Sequence, residues 1–318
     1  MASGHSPVAL VTGAAGFIGS RLAETLVDAG WSVIGVDCFT DYYARSAKEA
    51  NLRDLRASRS FSFVEHDLND VELFAALDGV DAVFHQAAQA GVRDSWGLGF
   101  ASYVHHNVLA TQRLLEGALQ AGVRRFVYAS SSSVYGNAER YPTVETDVVR
   151  PFSPYGVTKL AAENLVGAYA RNFGLSSVSL RYHTVYGPRQ RPDMAIHRLI
   201  KAALTGAPFP LFAAGDFVRD FTFVDDICHA NVLAAHAEVE PGAIFNLAAG
   251  ESITMNGLIE RIGEIVGCPV PIDERPGQAG DVRRTDADWS KAQKQLGWEP
   301  VTTLDEGLRA QVEWHRSH

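Results

Sequence analysis

The sequence predicts an α/β fold: a doubly wound parallel sheet with a smaller C-terminal α/β lobe. Three observations carry this. A glycine-rich turn, Gly13-Ala-Ala-Gly16-Phe-Ile-Gly19, follows a short apolar run and opens a segment of helical period. Strand-like and helical segments then alternate as far as Arg181, the rhythm of βαβ units whose sheet is covered on both faces. After Gly187-Pro188 the chain becomes rich in Arg, Pro and Gly, which marks the start of a second lobe. At 318 residues the chain is long enough for both.

Taken in order, Pro7–Thr12 reads as a buried strand, and the helix after the glycine turn ends at Gly30. The next strand, Ser32–Val36, runs into Asp37. This strand–turn–helix–strand setting makes the glycines a Rossmann dinucleotide fingerprint. Gly13 permits the tight turn, Gly16 lets backbone approach a pyrophosphate, Gly19 lets helix and strand pack closely, and the helix N-terminus faces the anion. A carboxylate at the end of the second strand accepts from a ribose 2′-OH and repels a 2′-phosphate. No arginine follows Asp37, only Cys38, Phe39 and Thr40, so NAD is the expected cofactor.

Further strands are read at Phe61–Val64, Ala82–His85, Arg125–Ala129 and Ser177–Arg181. Ligands in such sheets bind beyond the carboxyl ends of the strands, where Asp67, Ala87-Ala88-Gln89, Ser130–Ser133 and His183–Tyr186 stand. One helix is read at about Met194–Thr205, and Phe221–Val224 and Ala243–Leu247 are read as strands returning to the sheet. The Asp225-Asp226 pair between them reads as a helix cap. Short helices after Glu251 and the loop Arg275–Arg284 complete the second lobe, packed by Trp289, Trp298 and Trp314. The expected boundaries are 1–187 for the NAD-binding domain, with 220–249 returning to it, and 188–219 plus 250–318 for the substrate lobe.

Bulk properties exclude several classes. A net charge of −9 leaves no broad basic patch for nucleic acid or an anionic membrane surface, so an anionic ligand must be met by local arginines. Three scattered cysteines (Cys38, Cys228, Cys268) indicate neither a disulfide framework nor a metal-ligand cluster. No apolar run approaches the length of a membrane span and no charged-then-apolar leader opens the chain, so a cytoplasmic location is expected.

The chemistry is carried by Tyr155 and Lys159. At i and i+4 they share a helix face, which Ser153 suits as N-cap and Pro154 as first-turn residue. For a tyrosine to serve as a base near neutral pH its pKa must fall by roughly three units, about 4 kcal/mol of phenolate stabilisation. A lysine ammonium beside the ring and a hydroxyl from the run Ser130–Ser133 are the expected sources.

With these residues, Ala87-Ala88-Gln89-Ala90-Gly91-Val92-Arg93 and the run from Arg181 through Tyr186-Gly187-Pro188 to Arg191-Pro192-Asp193-Met194-Ala195 resemble the extended short-chain dehydrogenase/reductase family over nearly the whole chain. Within it they resemble the UDP-glucuronate 4-epimerase subgroup, the Arg-Pro-Asp-Met-Ala run most specifically. The resemblance implies a catalytic triad of Ser131, Tyr155 and Lys159. It implies cofactor contacts from Gly13, Gly16, Phe17, Ile18 and Gly19, from Asp37, and from Asp67 and Leu68 beside adenine. Ala87, Ala88, Gln89, Asn107, Tyr155, Lys159 and Tyr182 complete that set. For a UDP-sugar it implies Leu211 and Phe212 at the uracil, Arg219 and Arg283 at the UDP, Gln278 and Asp281 near ribose or phosphates, and Arg93. It also implies a homodimer built on the helices near Asn107–Ala121 and Tyr155–Asn172, where Leu114, Leu115, Leu165 and Val166 are extra apolar positions.

Two features qualify the resemblance. The family usually has phenylalanine after Arg-Tyr, where this chain has His183. Related 4,6-dehydratases and decarboxylases carry an acidic residue just before Val-Tyr-Gly, where this chain has Ser132 and Ser133. The expected reaction is therefore reversible C4 epimerisation of UDP-glucuronic acid through a 4-keto sugar, with Ser132, Ser133, Thr184 and Arg191 as candidates to hold the C5 carboxylate. Epimerisation of neutral UDP-glucose and UDP-galactose, decarboxylation of UDP-glucuronate, and a non-catalytic nucleotide sensor are the alternatives; sensors commonly lose the tyrosine or lysine kept here.

Overall fold

The computed structural model describes residues 6–69, 77–276, 280 and 282–318. Its first half follows the βα alternation: β1 (Val8–Thr12), α1 (Phe17–Asp28), β2 (Ser32–Asp37), α2 (Arg45–Asn51), α3 (Arg53–Ala57), β3 (Phe61–Glu65) and β4 (Ala82–His85). Then come α4 (Phe100–Tyr103), a π-helical stretch (Val104–Leu109), α5 (Ala110–Gln120), β5 (Arg125–Ser131), α6 (Pro154–Phe173) and β6 (Ser177–Tyr182). The remainder is β7 (Thr184–Tyr186), α7 (Ala195–Thr205), β8 (Phe209–Phe212), β9 (Val218–Phe223), α8 (Val224–His236), β10 (Ala243–Leu247), β11 (Ser252–Thr254), α9 (Met255–Val266), β12 (Ile272–Arg275), α10 (Ser290–Leu296) and α11 (Leu304–Ser317).

Seven strands form one parallel sheet in the order β10-β6-β5-β4-β1-β2-β3. Strand order reverses between β1 and β4, which opens the crevice where Rossmann-type sheets take ligands. Apolar cores cover both faces. Leu22 and Leu26 of α1 and Ile227 of α8 are buried on one, and Leu114 and Leu115 of α5 with Val166 of α6 on the other. Fully burying one such side chain is worth roughly 1.5–3 kcal/mol.

The second half departs from expectation in one respect. Phe221–Phe223 does not return to the large sheet: β9 lies between β11 and β7 in a separate three-stranded sheet. The chain leaves the large sheet after β6, and β7 then pairs with β9 in register Thr184↔Phe221. The place beside β6 goes to β10 instead. Asp225 and Asp226 lie in the first turn of α8 without capping it. The Asp225 carboxylate accepts from Arg21 at 2.6 and 3.0 Å, and Asp226 accepts from the Thr302 backbone at 3.2 Å, anchoring the approach to α11. Trp298 packs here, its indole donating to the Asp226 carbonyl at 2.8 Å.

Candidate active site

The start of α6 sets the site. Ser153 caps the helix by accepting from the Gly156 N–H at 3.1 Å, and Pro154 occupies the first turn, as the sequence predicts. This fixes Tyr155 one residue into the helix, at the boundary of two cavities that both count it as a wall residue. Tyr103 meets the Tyr155 ring edge-on at 6.2 Å. Burial pushes the Tyr155 phenol above its ordinary value, while a hydrogen bond with Ser131 and the charge of Arg191 pull it down.

Lys159 is placed differently from expectation. Its ammonium donates to the Ala129 carbonyl at 2.5 Å and lies 4.5 Å from the centre of the Tyr128 ring. Burial lowers its pKa to about 7, against the pull of Glu163.

A buried network braces the serine run. Arg181 of β6 grips Glu163 of α6 through two bonds of 3.0 and 2.6 Å, and Ser130 donates to the same carboxylate at 2.6 Å. Arg181 also donates to the Tyr135 hydroxyl at 2.7 Å, which in turn donates to Asn246. Both members of the ion pair are over nine-tenths buried. Removing one partner of such a pair costs about 3–5 kcal/mol because a charge is left buried and unpaired. Glu163→Ala is therefore expected to lower the denaturation midpoint by a matching amount; a loss under about 1 kcal/mol would show that Arg181 finds another partner.

The smaller cavity, about 200 Å³, lies over the glycine turn. Gly13 has φ 67°, and a Cβ there would meet Ala87 backbone at 2.9 Å; a Cβ on Gly19 would lie 2.1 Å from the Gly13 carbonyl oxygen. The α1 N-terminus, at Gly16, carries no side-chain cap, so its first-turn N–H groups lack a side-chain acceptor. Asp37 accepts from the Ala15 N–H at 3.1 Å and the Phe39 N–H at 2.8 Å, which ties the glycine turn to β2. Phe17, Ile18, Asp67, Leu68, Ala87, Ala88, Gln89 and Tyr182 also line this cleft. Asn107 does not; it braces the cleft from behind, accepting from the Gln89 N–H at 2.7 Å and donating to the Gln89 carbonyl at 3.0 Å. The uncapped helix end, the close-packed glycines and a carboxylate ending β2 fit a dinucleotide. Cysteine spacing indicates no metal-ligand set, yet the Cys38 sulfur, an Asp67 oxygen and a His106 ring nitrogen come within 4.8 Å of one another in this cleft.

The larger cavity, about 650 Å³, is lined by Arg93, Ser131, Ser132, Ser133, Thr184, Arg191, Leu211, Phe212 and Arg219. The Arg93 guanidinium lies 4.2 Å from the Phe212 ring centre. Arg283 is exposed and does not line the cavity; its N–H is held by Asn137 at 3.0 Å. Gln278 and Asp281 lie outside the described residues. Arg191 is not free: it pairs with Asp193 through bonds of 3.0 and 2.9 Å. Sequence reasoning missed Tyr42, Asp193, Phe209 and Phe217 in this wall. The Arg-Pro-Asp spacing that brings Asp193 back onto Arg191 was the available signal for one of them.

The model of the NAD dependent epimerase/dehydratase family matches residues 9–248. The chain is 42% identical over 305 residues to a Bacillus subtilis protein named as an uncharacterized UDP-glucose epimerase, YtcB, covering 95% of this chain and 96% of that one. It is 38% identical over 315 residues to UDP-glucuronate 4-epimerase of Thermodesulfobacterium geofontis, covering 97% and 96%. Among solved structures, UDP-glucuronic acid 4-epimerase from Bacillus cereus in complex with UDP-glucuronic acid and NAD superposes with a TM-score of 0.94, at 38% identity over 98% of this chain and 99% of that one.

Proposed function

Since the chain belongs to the NAD dependent epimerase/dehydratase family, we propose that it interconverts UDP-glucuronic acid and UDP-galacturonic acid by NAD-dependent epimerisation at C4. One observation carries the reading. Tyr155 is a wall residue of both the glycine-turn cleft and the larger cavity, with Ser131 in the wall of the larger one, so a single phenol serves both. When bound, NAD supplies the acceptor for a hydride from C4 and returns it to the opposite face. Gly13, Gly16 and Gly19 with the α1 N-terminus would hold its pyrophosphate, and Asp37 its ribose. Tyr155 takes the 4-OH proton and returns it, and Ser131 bonds the 4-oxygen. Ser132, Ser133 and Thr184 present hydroxyls to the C5 carboxylate, with Arg191 as its cation. That carboxylate must be held, because a 4-keto uronic acid is a β-keto acid that loses CO₂ when the C5–carboxylate bond stands perpendicular to the carbonyl plane.

A second reading, a 4-epimerase of neutral UDP-sugars, is favoured by the Arg191–Asp193 pair, which already satisfies the guanidinium. Incubating the purified protein with UDP-glucuronate and with UDP-galactose, and resolving the products by chromatography, separates the two. Conversion of UDP-glucuronate to UDP-galacturonate is expected; conversion of the neutral sugar alone overturns the first reading.

Asp37→Ala is expected to weaken NAD binding and narrow its advantage over NADP, since a ribose acceptor and a source of phosphate repulsion disappear together. Because Asp37 also holds the Ala15 and Phe39 N–H groups, NADP affinity should rise less than NAD affinity falls. Calorimetric titration with both cofactors measures this; unchanged affinities would place Asp37 away from the ribose.

We further infer a cytoplasmic homodimer. Among the described residues no helix is long and apolar enough to cross a membrane. Leu114, Leu115 and Val166 are fully buried in the chain's own core and Leu165 packs against it, so these four are not the interface positions expected from sequence. Val104, Leu109, Val157 and Phe173 are exposed along the same helices instead and support a helical interface there. Light scattering at micromolar concentration should give twice the chain mass; a monomer would refute the inference.

A further inference from the structure

His183 stands in the gap between β6 and β7, where the chain leaves the seven-stranded sheet. Its N–H is held by the Leu247 carbonyl at 3.0 Å, and the residue lines the larger cavity. It is only 2% exposed, yet neither ring nitrogen has a hydrogen-bond partner. Buried polar groups are nearly always satisfied, and leaving one unmade is costly. The hydroxyl of Thr285, in the wall of the same cavity, is also buried and without a partner.

The segments that carry these two both run beside β9. Thr184, next to His183, pairs with Phe221; Asp220, next to Phe221, donates its N–H to the Thr285 carbonyl at 3.0 Å. Tyr182, which precedes His183, pairs with Ser131, so the orphaned groups belong to the end of the cavity that holds the sugar in the epimerase reading.

We propose that His183 and Thr285 form a subsite that recognises a hydroxyl group of the sugar ring, an inference that rests on the epimerase reading above. Asp286 favours a protonated ring and Arg181 opposes it, but burial outweighs both and pushes the imidazole down to about 4. At neutral pH the ring therefore offers one N–H donor and one acceptor nitrogen. A sugar hydroxyl can accept from the N–H or donate to the bare nitrogen, whichever of the two faces it, whereas a carboxylate can only accept. The carboxylate already has Ser132, Ser133, Thr184 and Arg191. Phenylalanine at this position would offer an aromatic ring with no such pairing.

The test crosses enzyme variants with substrate variants. Holoenzyme of wild type, His183→Phe and Thr285→Val is assayed on UDP-glucuronate and on its 2-deoxy and 3-deoxy analogues. In the wild type one deoxy analogue is expected to lose about tenfold or more in kcat/KM, because the site's buried polar groups are left unpaired. In His183→Phe that analogue and the parent sugar should react alike, and Thr285→Val should shrink the penalty. Equal slowing of all three sugars overturns the proposal. So does a His183→Phe protein with unchanged rates and a raised melting temperature, the behaviour of an orphan relieved by an apolar ring. Proton uptake on binding, seen by calorimetry in wild type and lost in His183→Phe, would identify an anionic partner and also overturn it. Should no UDP-sugar be turned over at all, the epimerase reading fails; the deoxy penalty in binding affinity, from the same calorimetry, then decides the subsite separately.

Discussion

Tyr155→Phe is expected to reduce turnover by about a thousandfold or more while UDP-sugar and NAD affinities stay within a few-fold, as befits loss of a positioned general base. The substitution removes one hydroxyl and almost no volume. The ring keeps its edge contact with Tyr103 at 6.2 Å and its place between the two cavities. What disappears, in the proposed reaction, is the acceptor for the 4-OH proton. The phenol has to lose its own proton first, and burial opposes that, with the Ser131 hydroxyl and the Arg191 charge acting the other way. Ser131→Ala should accordingly slow turnover less than Tyr155→Phe and move the acid limb of the pH–rate profile, where the phenol is still protonated, to higher pH. Turnover within tenfold of wild type in Tyr155→Phe would remove Tyr155 from the role of base.

The fold was legible where the chain is locally consistent. Strand β4 has the predicted bounds, and the Ser153–Pro154 start of α6 behaves as a capped helix should. The glycine turn was legible for the same reason, since Gly13 and Gly19 sit where a Cβ collides with backbone. Prediction failed where partners are distant in sequence. A β-rich run such as Phe221–Phe223 carries no mark of which sheet it joins; that was decided by β7 leaving the large sheet and β10 taking the place beside β6. Leu114 and Leu115 looked surplus to one helical stripe, but α5 is covered widely enough that both are buried.

The site shows the same division. Spacing placed Tyr155 and Lys159 on one helix face but did not show that the Ala129 carbonyl would take the ammonium. That bond leaves Lys159 fixing the end of β5, which carries Ser130 and Ser131. Glu163 went unnoticed because its partner Arg181 is remote in sequence, yet the pair locks β6 to α6. Asn107, expected as a cofactor contact, reaches the cleft only through another residue: it holds Gln89 at both its N–H and its carbonyl instead of lining the cleft.

Arg191→Ala is expected to damage UDP-glucuronate turnover far more than any action on UDP-glucose or UDP-galactose. Losing one partner of a desolvated charge pair typically costs about 2–5 kcal/mol, roughly 30-fold to several thousandfold in kcat/KM. The structure adds a competitor and a second role. Asp193 holds the guanidinium at 3.0 and 2.9 Å, so a substrate carboxylate has to share or displace it, and Asp193→Asn should lower KM for the acidic sugar. The Arg191 charge also lowers the Tyr155 pKa, so part of the loss in Arg191→Ala will fall on every substrate. Arg191→Lys separates the two roles. It keeps a cation near the phenol but not the two-pronged grip on a carboxylate, so it should restore the neutral sugars more than UDP-glucuronate. A loosened carboxylate can also reach the perpendicular geometry, so Arg191→Ala should leak CO₂ and build up a UDP-4-keto-pentose together with reduced cofactor. Mass spectrometry of the products and the near-ultraviolet absorbance of the reduced cofactor detect both. Equal losses on acidic and neutral sugars, with no decarboxylated product, would confine Arg191 to its effect on Tyr155 and leave the carboxylate to Ser132, Ser133 and Thr184.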